Sequence, residues 1–469
     1  MTDRRAFLKT LAASAVAGSW RRSATLGAQS RDDPWRQLPA ILARIRPPTF
    51  ARRDFELTAF GGVGDNARDN TDAFRQAIAA CVRAGGGRVV VPNGEFLTAA
   101  IELKSGVNLH LTSEATIRFT RDATRYPTVL TRWEGVELMN FSPFIYAFEQ
   151  RDIGLTGSGT IDGGADCTHW WPWKGRSNCG WARGDVNQEA DRNTLFEMSE
   201  RGVPVADRVF GPGHYLRPQL IQPYRCSNVL IEGVKLRNSP MWQVHPVLCT
   251  NVTVRDLNIQ ASVDGPNTDG CDPESCRDVL ISNCFFDTGD DCIAIKAGRN
   301  ADGRRVTVPS ENIVIQKCHM RNGHGGITIG SEASAGVRNV FAEDCRLDSP
   351  RLEIAVRIKN NAMRGNVIEN VFARRLDIGQ VAQAVLGIDF YYEEGDKGGF
   401  TPTVRRVALV HVKATKAAYA LHLRGFASAP IRDVSLVDCQ FGGVAQANIV
   451  EHVEGLSLQN VRVNGKLVT

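Results

Sequence analysis

The apolar positions of this chain come in short bursts rather than helical stripes. A small polar residue followed by two or three aliphatic or β-branched residues recurs as Asn228-Val-Leu-Ile231, Asn251-Val-Thr-Val254, Asp278-Val-Leu-Ile281, Asn312-Ile-Val-Ile315, Asn339-Val340, Asp433-Val-Ser-Leu436 and Gly455-Leu-Ser-Leu458. Most neighbouring copies lie roughly 22 to 36 residues apart, the range of solenoid repeats. Each copy is made of strand formers, so the repeating unit is predicted to be a β coil. Such units bury their apolar faces by stacking on one another. The pattern therefore predicts an all-β solenoid.

Strand parity assigns the faces, because successive strand residues point to opposite sides. In Cys292-Ile-Ala-Ile-Lys296, Ile293 and Ile295 fill the interior and leave Lys296 outside with Asp290. By the same rule Ile327 and Ile329 face inward while His324 and Thr328 face out. Val356 and Ile358 face inward while Arg357 and Lys359 face out. Asp291 has the wrong parity for a regular strand, so a bend must turn it outward if it works with Asp290. Cys284, Cys318, Cys345 and Cys439 each fall six residues after the polar residue that opens their repeat. Equal offset predicts equivalent inward positions, filled by small hydrophobic thiols. Cys167 and Cys179, in a loop-like stretch, are the better candidates for a disulfide.

The pattern breaks in three places. Asn70 and Thr71 are expected to cap a helix running through Ala84, before the glycines at 85–87 and a strand from Val89. A helix there would cover the open end of the stack. From about 163 to 218 the repeat is interrupted by an insertion holding Trp170, Trp171, Trp173 and Trp181, four of the eight tryptophans. At the start, Asp3-Arg-Arg-Ala-Phe-Leu-Lys9 precedes a weakly apolar run up to Trp20, the form of a twin-arginine export signal. The expected organisation is thus a signal at 1–30, a linker at 31–48 and one catalytic solenoid at 49–469. Loss of the signal lowers the net charge from +5 to about +1, because the leader holds Arg4, Arg5, Lys9, Arg21 and Arg22 against Asp3. Global charge then gives no support to a nucleic-acid partner. The sequence shows no membrane span and no paired Cys-x-x-Cys zinc motif. The mature protein is expected to be monomeric, free of the membrane, and periplasmic or extracellular.

The candidate chemistry follows the repeat. Asp269, Asp291, His324 and Arg357 are separated by 22, 33 and 33 residues. A solenoid would stack them, with Asp290 and Lys359, into one outward patch. Hydrolysis of a glycosidic bond needs a protonated carboxylic acid and an ionised carboxylate. Adjacent carboxylates repel as anions, which raises one pKa and keeps a proton at the site. Arg and Lys beside them suit an anionic sugar, because Arg grips a carboxylate through two hydrogen bonds.

These residues carry a resemblance. Asn267-Thr-Asp269, Gly289-Asp-Asp291, Gly323-His-Gly325 and Arg357-Ile-Lys359 are similar, in order, to the four signatures of glycoside hydrolase family 28, the polygalacturonase family. The likeness runs from about residue 55 to the end of the sequence. It implies a single-stranded right-handed parallel β-helix that hydrolyses α-1,4-galacturonosyl linkages with inversion and without a cofactor or metal. It implies Asp290 as general acid, Asp269 and Asp291 as activators of water, and His324 as support for the acid. It also implies substrate contacts from Asn267, Arg357, Lys359 and Tyr392; Lys296 joins these on parity. The insertion at 163–218, if it walls off one end of the cleft, predicts exo-cleavage of pectic polysaccharide or oligogalacturonate from the non-reducing end.

Two other functions fit the fold. A pectate or rhamnogalacturonan lyase would need Ca²⁺, and the carboxylates between Asp264 and Asp291 offer oxygen ligands for it. A non-catalytic glycan-binding β-helix would give no reason for three Asp to converge.

Overall fold

In the computed structural model, residues 33–468 are described. The expected twin-arginine signal falls outside them. The chain coils into a parallel β-helix with three faces. One fourteen-stranded sheet starts at Asp54–Glu56 and another at Asp65–Asp69. The third face holds a three-stranded sheet, Ile101–Glu102 with Ile145–Phe148 and Ile221–Tyr224, and a six-stranded sheet from Ile293–Ile295 to Ile449–Glu451. Single bridges through Val244 and Cys271 join the two.

The polar residue that opens each repeat has a structural task. Asn228, Asn251, Asp278, Asn312 and Asn339 all sit in the left-handed region, with φ between 56° and 59°. Asn and Asp tolerate that conformation best among non-glycine residues. Their side chains stack as a ladder: Asn251 donates to Asn228, Asn312 to Asp278 and Asn339 to Asn312, at 2.8 to 3.1 Å. The aliphatic residues that follow form one long interior, in which Val252, Val279, Ile313 and Val340 are all buried. Cys284, Cys318, Cys345 and Cys439 are buried there as expected. A second cysteine column, Cys226–Cys249–Cys276, is linked by N–H···S bonds of 3.4 Å. Cys167 and Cys179 are free thiols in hydrogen-bond contact with each other.

Helix α2, Thr71–Arg83, covers the open end of the stack through Phe74, Ala77, Ile78 and Cys81. Its cap differs from expectation. Asp69 Oδ1 accepts from both the backbone N–H and the hydroxyl of Thr71. The Asn70 side chain bonds instead to Val63, Arg68 and Leu97, which ties the helix start to neighbouring rungs.

The expectation of a linker at 31–48 is overturned. Pro34–Gln37 forms a 3₁₀ turn and Leu38–Arg44 forms helix α1. Trp35, Leu38, Ile41 and Ile45 pack on Val314, Phe341 and Phe372. Those three point outward from a long sheet and would be an exposed apolar patch without the helix. The segment was misread because its partners lie some three hundred residues away in sequence.

The insertion is an ordered lobe. It holds the turn Trp171–Lys174 and helix α3, Glu189–Glu200. Leu195, Phe210 and Leu216 build a small core with Trp133, Val136, Leu138, Met241 and Trp242. Trp170, Trp171 and Trp173 anchor the lobe: Trp171 Nε1 donates to the Ser239 carbonyl, and Trp170 packs on Tyr126, Phe141 and Phe144. They are packing residues. Trp181 is only part-buried and donates to Asp185.

Candidate active site

The site is built on the six-stranded sheet and the bends that lead into it. The strand Ile293–Ile295 pairs with Gly323–Ile329, and that strand pairs with Leu352–Lys359. Where the chain enters these strands the rungs are held by Gly270 N–H to the Asp291 carbonyl and Cys292 N–H to the Gly325 carbonyl, at 3.0 and 2.8 Å. This register stacks the bends that carry Asp269 and Asp291 on the start of the strand that carries His324. Asp291 lies in the bend before its strand begins, which resolves the parity conflict. Two glycines leave the necessary room. A Cβ on Gly323 would meet the Asp290 carbonyl at 2.1 Å, and one on Gly325 would meet Thr328 Oγ1 at 2.1 Å and Asp291 Oδ1 at 2.8 Å.

Asp269, Asp290 and Asp291 converge, each with a carboxylate oxygen within 4.8 Å of the others. Each faces a protein cation. Asp290 Oδ1 lies 2.8 Å from His324 Nδ1 and also accepts the Asp291 N–H. Asp291 Oδ2 accepts from Lys359 Nζ at 2.7 Å, and its Oδ1 accepts from Thr328 Oγ1 at 3.0 Å. Asp269 Oδ2 lies 4.0 Å from Lys296 Nζ, while its Oδ1 is buried without a partner.

The electrostatics separate the three acids. Burial drives Asp269 well above the usual carboxylate range, reinforced by Asp290 and Asp272. Burial would also raise Asp290. There the hydrogen bond and charge of His324, then Lys359 and the Asp291 amide, prevail and hold it below the usual range. His324 is pushed up in return, by its hydrogen bond to Asp290 and by that carboxylate's charge. Asp269 thus leans toward its protonated form, and the His324–Asp290 pair toward keeping its proton.

Arg357 and Lys359 are both present, but their first partners are internal. Arg357 Nη1 donates to the His324 carbonyl at 3.1 Å and lies 3.8 Å from Asp291 Oδ1. The ring of Tyr392 lies 5.7 Å from the Arg357 guanidinium and 5.2 Å from Lys359 Nζ, which puts all three at one edge of the site. Asn267 reaches the site, with its Oδ1 taken by Arg217 at 2.8 Å. Lys296 departs from the sequence reading. It lies on the expected face but is buried, 3.0 Å from Glu332, 3.7 Å from Asp272 and over the Trp242 ring at 4.3 Å. Parity gave its direction correctly; Glu332, supplied by the next rung, covers it. Its position makes it a support for Asp269 rather than an open sugar contact.

Sequence reasoning missed Arg217, Glu332 and Arg299. Arg299 lies over the Phe196 ring of the lobe at 4.2 Å and bonds Glu394 at 3.1 Å, in the turn that carries Tyr392. The lobe is thereby tied across to the far edge of the site. Only the spacing of Glu332, 36 residues after Lys296 and so one rung on, offered a signal.

Three converging carboxylates, a histidine bonded to one of them, and cations at the rim of an elongated face define a glycoside hydrolase. A family model described as "Glycosyl hydrolases family 28" matches residues 213–457. A hyperthermoactive exopolygalacturonase from Thermotoga maritima has the same fold, with TM-score 0.89 and 45% identity over 92% of this chain and 96% of that one. The exo-poly-alpha-D-galacturonosidase of Dickeya chrysanthemi is 25% identical over 471 residues, which cover 90% of this chain and 76% of that protein. A probable polygalacturonase of Vitis vinifera is 27% identical over 418 residues, covering 86% and 77%. The chain belongs to glycosyl hydrolases family 28.

Proposed function

We propose that the protein hydrolyses α-1,4-galacturonosyl linkages from the non-reducing end of pectic chains, with inversion. The observation that carries the chemistry is the hydrogen bond between His324 and Asp290 beside two further carboxylates. Asp290 is the most open of the three acids, its side chain 14% exposed against 4% for Asp269 and 1% for Asp291. It is therefore the group that meets the glycosidic oxygen. The proton of the His324–Asp290 pair passes to that oxygen as the bond to the anomeric carbon breaks. Water attacks the anomeric carbon and gives its proton to Asp291, whose carboxylate Lys359 and Thr328 hold in place by hydrogen bonds. Asp269 holds the same water by hydrogen bonding. Arg357, Lys359 and Tyr392 line the edge suited to a uronate carboxylate.

Inverting enzymes generally separate their carboxyl groups by ~6.5–9.5 Å. The acids here are closer, so inversion is inferred from family membership and not from separation. Exo-action is supported by the lobe, joined through Arg299 to the Tyr392 turn, and by the Thermotoga maritima relative. No helix among the described residues is long and apolar enough to cross a membrane. The Asp3-Arg-Arg-Ala-Phe-Leu-Lys9 leader supports export to the periplasm or medium.

One digest tests the reading. Polygalacturonate should yield mono- or digalacturonate of inverted configuration, seen by NMR at early times, while viscosity falls slowly. A steep early viscosity drop with mixed oligomers would overturn exo-action, and unsaturated products would overturn hydrolysis.

A further inference from the structure

The lobe carries cations that make no ion pair among the described residues. Arg217 is fully buried and meets only neutral acceptors: Gln188 Oε1 at 3.0 Å, the Pro240 and Pro266 carbonyls at 2.7 Å each, and Asn267 Oδ1 at 2.8 Å. Lys174 ends the turn Trp171–Lys174, is part-buried, and makes no ion pair or hydrogen bond through its ammonium among the described residues. The charges that act on it are Glu134, Arg217, Arg176 and Arg192. Glu134 is already bonded to Arg192 at 2.8 Å. Among the described residues Lys174, Arg217 and Arg176 are thus left without an ion pair, since Glu134 is held by Arg192. Buried charge is normally paired, so this surplus is an electrostatic vacancy for an anion. Burial accordingly lowers Lys174 and brings Arg217 down to about 10.

The vacancy adjoins the catalytic acids. Arg217 holds Asn267, two residues before Asp269, and lies within reach of the charge on Asp290. The turn that presents Lys174 is fixed by Trp170 and Trp171, so its backbone is in place before any ligand arrives. A galacturonan brings one carboxylate per ring. One ring can use the Arg357, Lys359 and Tyr392 edge, and its neighbour then carries a second carboxylate needing a partner.

We propose that Lys174, backed by Arg217 and Arg176, is a second carboxylate subsite, which takes the uronate group of the chain-end sugar lying against the lobe. This rests on the galacturonan hydrolase reading and adds a specificity determinant to it. A chain capped by a neutral sugar would leave these cations unanswered, so the subsite selects for an acidic terminus.

The test compares trigalacturonate with an analogue whose non-reducing-end sugar is galactose. The wild type should cleave the analogue with kcat/KM lower by about tenfold or more, as expected for loss of a charge-assisted hydrogen bond. Lys174→Met, checked for an unchanged melting profile, should treat the two substrates alike. Its KM for trigalacturonate should rise by about the same factor with kcat little changed, and Lys174→Arg should restore part of the preference. A Lys174→Met variant that keeps the full preference overturns the subsite while leaving the hydrolase reading intact. A wild type inert on trigalacturonate overturns the hydrolase reading, and with it the occupant named here.

Discussion

Lys359 Nζ lies 2.7 Å from Asp291 Oδ2, although the two residues stand 68 positions apart and two rungs from each other. The contact gives Lys359 a second task besides sugar recognition. Burial would lower its pKa, but the Asp291 charge prevails and keeps it protonated. Lys359→Met should therefore lower kcat by about 10²-fold, more than it raises KM, as for loss of a charge that supports the transition state. Steady-state kinetics on trigalacturonate check this. An effect confined to KM would show that Lys359 only binds substrate.

Asp290→Asn should lower kcat by about 10²–10⁴-fold, the usual contribution of a positioned proton donor. Substrate binding, followed by calorimetry, should persist. Near wild-type turnover would remove Asp290 from the mechanism.

The His324–Asp290 pair sets a pH limit. His324 is raised above its ordinary value of 6.5 in the folded protein. The shared proton is present below that raised pKa and lost as pH climbs through it. Activity should therefore fall on an alkaline limb centred above 6.5. In His324→Ala the proton rests with Asp290 alone, and the limb should move. A superimposable profile in the variant would refute the shared-proton account.

Asp269 works against the stability of the fold. Its carboxyl is raised by burial, so the native state favours the protonated form. That favour is complete below the unfolded value near 3.8 and turns into a penalty as pH rises through the folded pKa. Asp269→Asn should raise Tm at pH 7 by about 1–3 °C, with the gain vanishing near pH 3 while activity is lost. Calorimetry at both pH values decides; destabilisation at pH 7 would contradict the electrostatics.

Activity should survive dialysis against a chelator. His324, Lys359 and Lys296 already stand beside the three carboxylates and supply the positive charge that a cation would bring. Loss of activity restored by Ca²⁺ would overturn this.

The solenoid and its outward patch were legible because they depend on local pattern. Alternation alone placed Ile293, Ile295, Val356 and Ile358 inside, and repeat spacing brought Asp269, Asp291, His324 and Arg357 together. What escaped depends on partners from other rungs. Parity pointed Lys296 outward, yet Glu332 and Asp272 close over it. Nothing around Trp35 announces that Phe341 and Phe372 wait for it. Nor does the sequence near Arg217 show that its hydrogen bonds go to Gln188, Pro240, Pro266 and Asn267. Direction is a property of a strand; burial is a property of the assembled stack.

Helix α1 has a consequence for the order of assembly. Its anchors are Arg44 on Asp278, Arg46 on Asn251, and Trp35 between Phe341 and the Arg374 guanidinium. All four partner residues are synthesised long after the helix; the Arg44 contact alone spans 234 positions. A segment made early in synthesis is therefore among the last to find its place. It lies along the flank of the stack as a clamp, and neighbouring rungs cannot part without first releasing it. A stack that would otherwise fray one coil at a time gains a seam that closes late and opens as a unit.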